Sequence, residues 1–140
     1  MRVMVIVRAD ADTEAGNLTD RAFMKAMDDF NDDLVRAGVV LAAEGLRPSS
    51  AGARVRFEGG RPSTVIDGPF SESKELIAGF WLWQVKSMDE AVEWLKRAPF
   101  GGGVEIEIRP IFEMEDFGAA MSEELKAQEA RQRAQLANKA

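Results

Sequence analysis

The residues best suited to chemistry in this chain are two carboxylates and a lysine around one tight turn. Asp67 is followed by Gly68 and Pro69, and Lys74 and Glu75 come shortly after. Glycine frees the backbone to turn and proline fixes φ, so the sequence predicts that Asp67 is held at a strand end by a stiff bend. A carboxylate held there binds an amine or hydroxyl, or acts as a base if partly buried; alternatively it accepts hydrogen bonds from its own turn. Lys74 and Glu75 would line a pocket mouth, with an exposed loop as the alternative.

The composition restricts what this turn can do, because the chain has no histidine, cysteine or tyrosine. A general acid or base must then be Asp, Glu or Lys, so Asp67 and Glu75 are the catalytic candidates. Imidazole triads, thiolate chemistry and metal sites built on His or Cys are excluded. The loop at 10–16 spaces three carboxylates two apart but lacks the glycine and glutamate of an EF-hand, so it predicts a solvated acidic loop. We expect no metal and no cofactor, and binding is favoured over catalysis.

Four further side chains are candidate ligand contacts. Phe70 lies in the turn, Trp81 in the aromatic strand after it, and Arg8 and Arg109 at the ends of two other strands. Trp81 with Trp83 would form an apolar wall for a flat ligand, although such a pair is more often core or subunit interface. Arg8 and Arg109 would anchor an anionic ligand, with surface ion pairs as the alternative.

The whole chain has the composition of a soluble globular domain. It has 140 residues, of which 46% are hydrophobic, enough for one domain with a core. The balance of 18 basic and 24 acidic residues gives a net charge of −6, which disfavours nucleic acid and anionic membrane as partners. The N-terminal apolar run is too short to span a membrane. The absence of cysteine suits a reducing compartment, so we predict a cytoplasmic protein.

Hydrophobic periodicity predicts alternating strands and helices. The predicted strands are at about 3–7, 39–43, 53–57, 62–66, 79–83 and 104–111, and the predicted helices at about 19–37, 87–98 and 115–138. Thr19 and Ser87 are the expected helix caps, with Glu90 completing a capping box, and Gly38 the expected left-handed terminator. This order predicts an α+β fold: an antiparallel sheet with both main helices on one face. A homodimer stacking sheet on sheet would cover the other face.

The turn and its surroundings resemble the signature of the DGPF-type, YCII-related family. The matching residues are Asp67-Gly68-Pro69-Phe70, then 71–75 and 79–82, with the N-terminal strand, the helix at 87–99 and the segment 104–110 as further matches. The resemblance covers about residues 1–112, leaving a helical extension at 113–140. It implies a ferredoxin-like dimeric α/β barrel, with a hairpin inserted between two βαβ units, in a family whose functions are mostly uncharacterised.

This chain departs from the resemblance at one point that bears on function. Related YCII proteins are thought to use a His-Asp pair, but here there is no histidine, and Ala98-Pro99-Phe100 stands where relatives often read Asp-Pro-Phe. Neither half of the pair carries over. Members are also often encoded beside extracytoplasmic-function sigma factors. Three hypotheses therefore stand: a homodimer that binds a small molecule beside the turn, a metal-free enzyme using Asp67 or Glu75, and a regulatory protein-interaction module using the C-terminal helix.

Overall fold

The computed structural model describes residues 1–17, 20–71 and 75–139. The strands are β1 (Arg2–Arg8), β2 (Val40–Gly45), β3 (Ala53–Arg56), β4 (Thr64–Asp67), β5 (Ile77–Gln84) and β6 (Ile106–Pro110). The α-helices are α1 (Ala11–Glu14), α2 (Arg21–Arg36), α3 (Met88–Lys96) and α4 (Glu123–Ala137), with 3₁₀ turns at Ser49–Ala51 and Met114–Ala120. The chain divides into two compact units, Met1–Pro110 and Ile111–Ala140. Across the described ranges, no helix is long and apolar enough to cross a membrane.

The first unit is built on a four-stranded sheet in the order β2-β5-β1-β6, and every neighbouring pair is antiparallel. β1 and β2 are joined through α2, yet β5 lies between them. β5 and β6 are joined through α3, with β1 between them. Two such split βαβ units in one antiparallel sheet are the ferredoxin-like topology. The predicted mixed α+β fold with an antiparallel sheet is therefore confirmed, and the predicted hairpin is present as the separate two-stranded sheet β3-β4.

The hydrophobic core lies between one face of the sheet and the two main helices. The buried side chains that meet there are Val3, Val5, Trp81 and Trp83 from the sheet, Phe30 and Leu34 from α2, Val39 and Val85 at strand ends, and Ala91 from α3. Pairing of β1 with β5 sets Val3 opposite Trp83 and Val5 opposite Trp81, so these side chains share a face. The Phe30 ring meets Trp81 edge-on with centroids 6.0 Å apart. The aromatic strand is therefore the centre of the core.

Side-chain caps begin the two main helices, and they differ from the predicted caps in two respects. Asp20 caps α2 by accepting a hydrogen bond from the backbone of Phe23, whereas the predicted cap, Thr19, lies outside the described residues. Gly38 has φ 71°, as predicted for the residue that ends this helix. Ser87 caps α3 as expected, but the Glu90 carboxylate accepts from the Lys86 N–H at 2.7 Å, one residue before the cap. The predicted capping box is thus displaced by one residue.

In the second unit, the predicted helix from about 115 to 138 is wrong in its first part. The 3₁₀ segment Met114–Ala120 is interrupted at Gly118, which has φ 52° and ψ −134°, and Met121 is extended. Ser122 then caps α4, accepting from the Leu125 N–H. The spacing of Phe117, Met121 and Leu125 predicts one apolar stripe, but these residues do not lie on one helix. No residue of α4 is buried.

A candidate ligand-binding corner at Asp67–Phe70

The Asp-Gly-Pro-Phe turn lies at the end of the β3-β4 hairpin and packs on the 3₁₀ turn that precedes it. β3 pairs antiparallel with β4, and the last pair joins Ala53 to Asp67. Directly after it, the Gly68 N–H donates to the Gly52 carbonyl at 3.0 Å. The backbone contacts between the two arms of the hairpin therefore extend through Asp67 to Gly68. We call the segment Asp67–Phe70 the corner.

Ser49 links the corner to the N-terminal loop. The Phe70 N–H donates to the Ser49 hydroxyl oxygen at 3.0 Å. That hydroxyl in turn donates to the Glu14 carboxylate, whose other oxygen accepts from the Ser49 N–H at 3.0 Å. Glu14 ends α1, a short helix closed by a capping box between Asp10 and Thr13. The prediction of a merely solvated acidic loop is therefore wrong for Glu14, whose carboxylate binds a turn 35 residues away.

Gly68 is required by a close contact and not by its φ. A Cβ at this position would lie 1.8 Å from the carbonyl oxygen of Ser49, far inside van der Waals contact. Its φ is not among the positive values found at other glycines. The sequence correctly predicts a glycine-dependent turn, but the reason is the approach of one backbone to another.

Asp67 does not use its carboxylate to stabilise its own turn. The alternative role predicted for it needs backbone donors within the turn, but the N–H groups of Gly68 and Phe70 go to Gly52 and Ser49, and Pro69 has none. The Asp67 side chain is exposed, and the described residues provide it with no hydrogen bond or ion pair. Its carboxylate is therefore open to solvent and to a ligand.

Phe70 supports an arginine that sequence reasoning missed. The guanidinium carbon of Arg54 lies 3.9 Å from the centroid of the Phe70 ring, the geometry of a cation–π contact. Arg54 pairs with Ile66 in the hairpin, so alternation places it on the face opposite to Asp67. The alternating Arg54 and Arg56 of β3 carry a sequence signal for a charged strand face, but nothing in the sequence connects it to Phe70.

The other predicted site residues are placed elsewhere. Trp81 is 5% exposed and belongs to the core, with its indole N–H donating to Asn31 at 2.8 Å. Arg8 and Arg109 both approach Glu107, at 3.2 and 3.8 Å, in surface ion pairs. Glu75 is exposed, and Lys74 lies outside the described residues. The structure thus brings Asp67 and Phe70 together at the corner and brings the two arginines together around Glu107.

An open apolar groove of about 360 Å³ lies between α3 and β6, and its lining includes none of the predicted site residues. Its lining residues are Val92, Leu95, Lys96, Ala98, Phe100, Gly101, Val104, Ile106 and Ile108. Lys96 is the charged side chain of this lining, and its ammonium pairs with Glu93 at 2.9 Å. Ala98 and Phe100 border the groove, so the segment where relatives often read Asp-Pro-Phe contributes apolar surface here. Within the described residues, no cluster of three or more Asp or Glu side chains is arranged to hold a metal ion.

The strand order and the two split βαβ units define a ferredoxin-like α+β domain with an inserted hairpin. The model of the YCII-related domain matches residues 1–115, and the chain therefore belongs to this family. An uncharacterised protein of Rhizobium meliloti (strain 1021) is 34% identical over 77 residues, which span 55% of this chain and 61% of that protein.

A solved structure shows a more distant likeness. It is a 5-chloro-2-hydroxyhydroquinone dehydrochlorinase from Burkholderia phenoliruptrix in complex with 2,5-dihydroxybenzoquinone. It is 12% identical, with a TM-score of 0.46 over 83% of this chain and 98% of that one. A likeness of this size says nothing about what the present chain binds.

Proposed function

We propose that this protein binds a small organic molecule beside the Asp67–Phe70 corner, as a homodimer. The observation that carries the proposal is a difference in hydrogen bonding between the backbone and the Asp67 side chain of the corner. The backbone N–H groups of Gly68 and Phe70 are bound by Gly52 and Ser49, whereas the side chain of Asp67 has no described partner. A rigid backbone that presents an uncommitted polar group is a common arrangement in ligand recognition, because little ordering is needed on binding.

The enzyme alternative receives less support from the same residues. Asp67 and Glu75, the two candidate bases, are both exposed. Burial or a close like charge is what normally makes a carboxylate an effective base near neutral pH. Binding without catalysis is therefore the simpler proposal for this corner.

The interaction-module alternative places the contact with a partner on the C-terminal helix. The interruption at Gly118 separates Phe117 from α4, and the leucines of α4, Leu125 and Leu136, are not joined by a continuous apolar row. An amphipathic helix that docks on a partner normally presents apolar residues at every third or fourth position. This helix therefore gives the alternative little support.

The homodimer is proposed from the face of the sheet opposite to the core. Alternation places Met4 and Ile6 of β1 beside Phe80 and Leu82 of β5 on that face. All of them are only partly buried, and they belong neither to the core cluster nor to the side chains packed against it. An apolar sheet face needs a second layer, and the equivalent face of another copy is self-complementary.

Ligand binding at the corner is tested by thermal shift across a library of metabolites. A compound that raises the melting temperature should lose most of this effect with Asp67→Ala and with Lys74→Ala, and Asp67→Asn should distinguish loss of charge from loss of shape. Glu124→Ala, which removes an exposed carboxylate on α4, is the matched control. If the Asp67 and Lys74 variants respond to the compound as the control does, the site is not at the corner.

The homodimer is tested by light scattering coupled to size exclusion. Leu82→Glu places a charge on the open sheet face and should convert the dimer to monomers, because an unpaired charge in an apolar interface is strongly unfavourable. Val35→Glu, at a position on α2 that is 63% exposed, should leave the dimer intact. A wild-type protein that is monomeric at 100 µM, or a dimer unaffected by Leu82→Glu, would exclude this interface.

A further inference from the structure

We propose that the face of the β3-β4 hairpin carrying Arg54 and Arg56 binds a doubly charged oxyanion, as a phosphate monoester or a dicarboxylate, beside Phe70. The inference goes beyond the proposed function, because this face of the hairpin lies opposite to Asp67 and would form a second site. It assigns the recognition to residues other than Asp67.

The first support is the distribution of charge along the chain. The hairpin, residues 53–67, contains three arginines, at 54, 56 and 61, against two acids, Glu58 and Asp67, which gives 3 − 2 = +1. Since the whole chain carries −6, the remaining residues carry −6 − 1 = −7. None of these arginines forms an ion pair with any described residue. A basic hairpin on an acidic protein would attract an anion to this end of the molecule.

The second support is the arrangement of two guanidinium groups on one strand face. Arg54 and Arg56 are two residues apart on β3, so their side chains leave the same face about 7 Å apart. Their partners across the hairpin, Ile66 and Thr64, carry no charge. The hydroxyl of Thr64 donates to the Glu58 carboxylate at 3.2 Å, so the negative charge of Glu58 lies on this face and offsets one of the two arginines. The face keeps a net charge of 2 − 1 = +1.

The third support is that Arg54 is held in place. Its guanidinium lies 3.9 Å from the Phe70 ring centroid, and the Phe70 backbone is fixed in turn by the Ser49 hydroxyl. Stacking covers one face of a guanidinium but leaves its N–H edge available for two parallel hydrogen bonds to an oxyanion. A cation already ordered by stacking loses less entropy on binding than a mobile surface arginine.

Two guanidinium groups on one strand face suit a ligand with two negative charges. One phosphate monoester brings both charges to a single group, and a dicarboxylate spreads them over two. Both share the chemistry of a planar or tetrahedral oxyanion that accepts paired N–H bonds. The Phe70 ring beside them adds an apolar contact for the carbon part of the ligand.

The experiment titrates ¹⁵N-labelled full-length protein with phenyl phosphate and with succinate, using phenol as the uncharged probe. Binding should shift the arginine Nε–H resonance of Arg54 and the amide resonance of Phe70. Arg54→Gln and Arg56→Gln should each weaken binding roughly tenfold, the usual effect of removing one hydrogen bond to a charged group. Arg131→Gln, at an exposed arginine of α4 with no described ion pair, should leave the affinity unchanged. Circular dichroism checks that each variant is folded.

Each outcome decides the proposal. Saturable binding of phenyl phosphate alone identifies a phosphate monoester, and binding of succinate alone identifies a dicarboxylate. Absence of binding by both, or equal weakening by Arg54→Gln and Arg131→Gln, would overturn the anion site. The anion site and the proposed function can fail independently. A neutral or cationic ligand whose binding depends on Asp67 but not on Arg54 would support the site at the corner and would exclude the anion site. Conversely, Asp67→Ala should not weaken phenyl phosphate binding, because it removes a negative charge.

Discussion

The contact between Gly68 and the 3₁₀ turn predicts that Gly68→Ala separates the corner from the rest of the unit. The new Cβ would lie 1.8 Å from the Ser49 carbonyl oxygen and 2.7 Å from its carbon, both backbone atoms that have no rotamer to change. Relieving such overpacking costs about 1–3 kcal/mol. The displacement also breaks the hydrogen bonds of the Gly68 and Phe70 N–H groups, each worth about 1 kcal/mol. We expect a total loss of roughly 3–5 kcal/mol in the free energy of unfolding.

Thermal denaturation and hydrogen exchange together measure this effect. In a chain of this size, roughly 3–5 kcal/mol corresponds to a melting temperature lower by about 6–20 °C. The Phe70 amide should also exchange faster, because its acceptor on Ser49 moves away. Gly102→Ala is the matched control, since a Cβ there meets nothing within 4 Å. If Gly68→Ala has the same melting temperature as Gly102→Ala and keeps the Phe70 amide protected from exchange, the close contact does not exist in solution.

Three further substitutions test the other contacts. Ser49→Ala removes the acceptor of the corner's amide and the partner of a carboxylate, so it should destabilise by about 2 kcal/mol in urea unfolding, while the neighbouring Ser50→Ala should not. Gly79→Ala puts a Cβ 2.9 Å from a backbone oxygen of β2 and should lose about 1–3 kcal/mol, whereas a Cβ at Gly45 meets nothing within 4 Å, so Gly45→Ala should be silent. Trp83 is fully buried and its indole N–H has no partner among the described residues. Trp83→Phe should therefore lower the free energy of unfolding by only about 1 kcal/mol, because the loss of packing is partly offset by removal of an unsatisfied donor. Trp83→Ala should lower it by about 3–5 kcal/mol. Equal losses in the two Trp83 variants would contradict this.

The fold was largely predictable because its signals are local. Strict alternation in Ile106–Pro110, the apolar run of β1 and the stripe of α2 each follow from the periodicity of one element. The exception, the first part of the predicted C-terminal helix, has the composition of a helix but a single glycine, Gly118, at which the backbone takes φ 52°. Helix propensity summed over a window does not register one residue that leaves the helical region.

The candidate site was less predictable because its contacts are not local. The turn at Asp67–Phe70 is recognisable in the sequence, but Glu14 and Ser49 come from segments far from it. Their hydrogen bonds depend on where the fold places α1 and the 3₁₀ turn, and no periodicity encodes that. Trp81 shows the converse difficulty, since an aromatic residue in a strand has the same sequence pattern whether it lines a pocket or fills the core.

The corner separates two roles that the sequence presents as one motif. Its backbone is structural, because Gly68 and Phe70 use their N–H groups to join the hairpin to the turn at 49–52. Its side chains point outward from that joint: Asp67 lies exposed on one face of the hairpin, and Phe70 supports Arg54 on the other. A substitution that breaks the backbone contacts should therefore reduce stability and ligand binding together, whereas one that removes Arg54 or Asp67 should change binding at constant stability. Comparing Gly68→Ala with Arg54→Gln in both assays distinguishes a recognition site from an architectural turn.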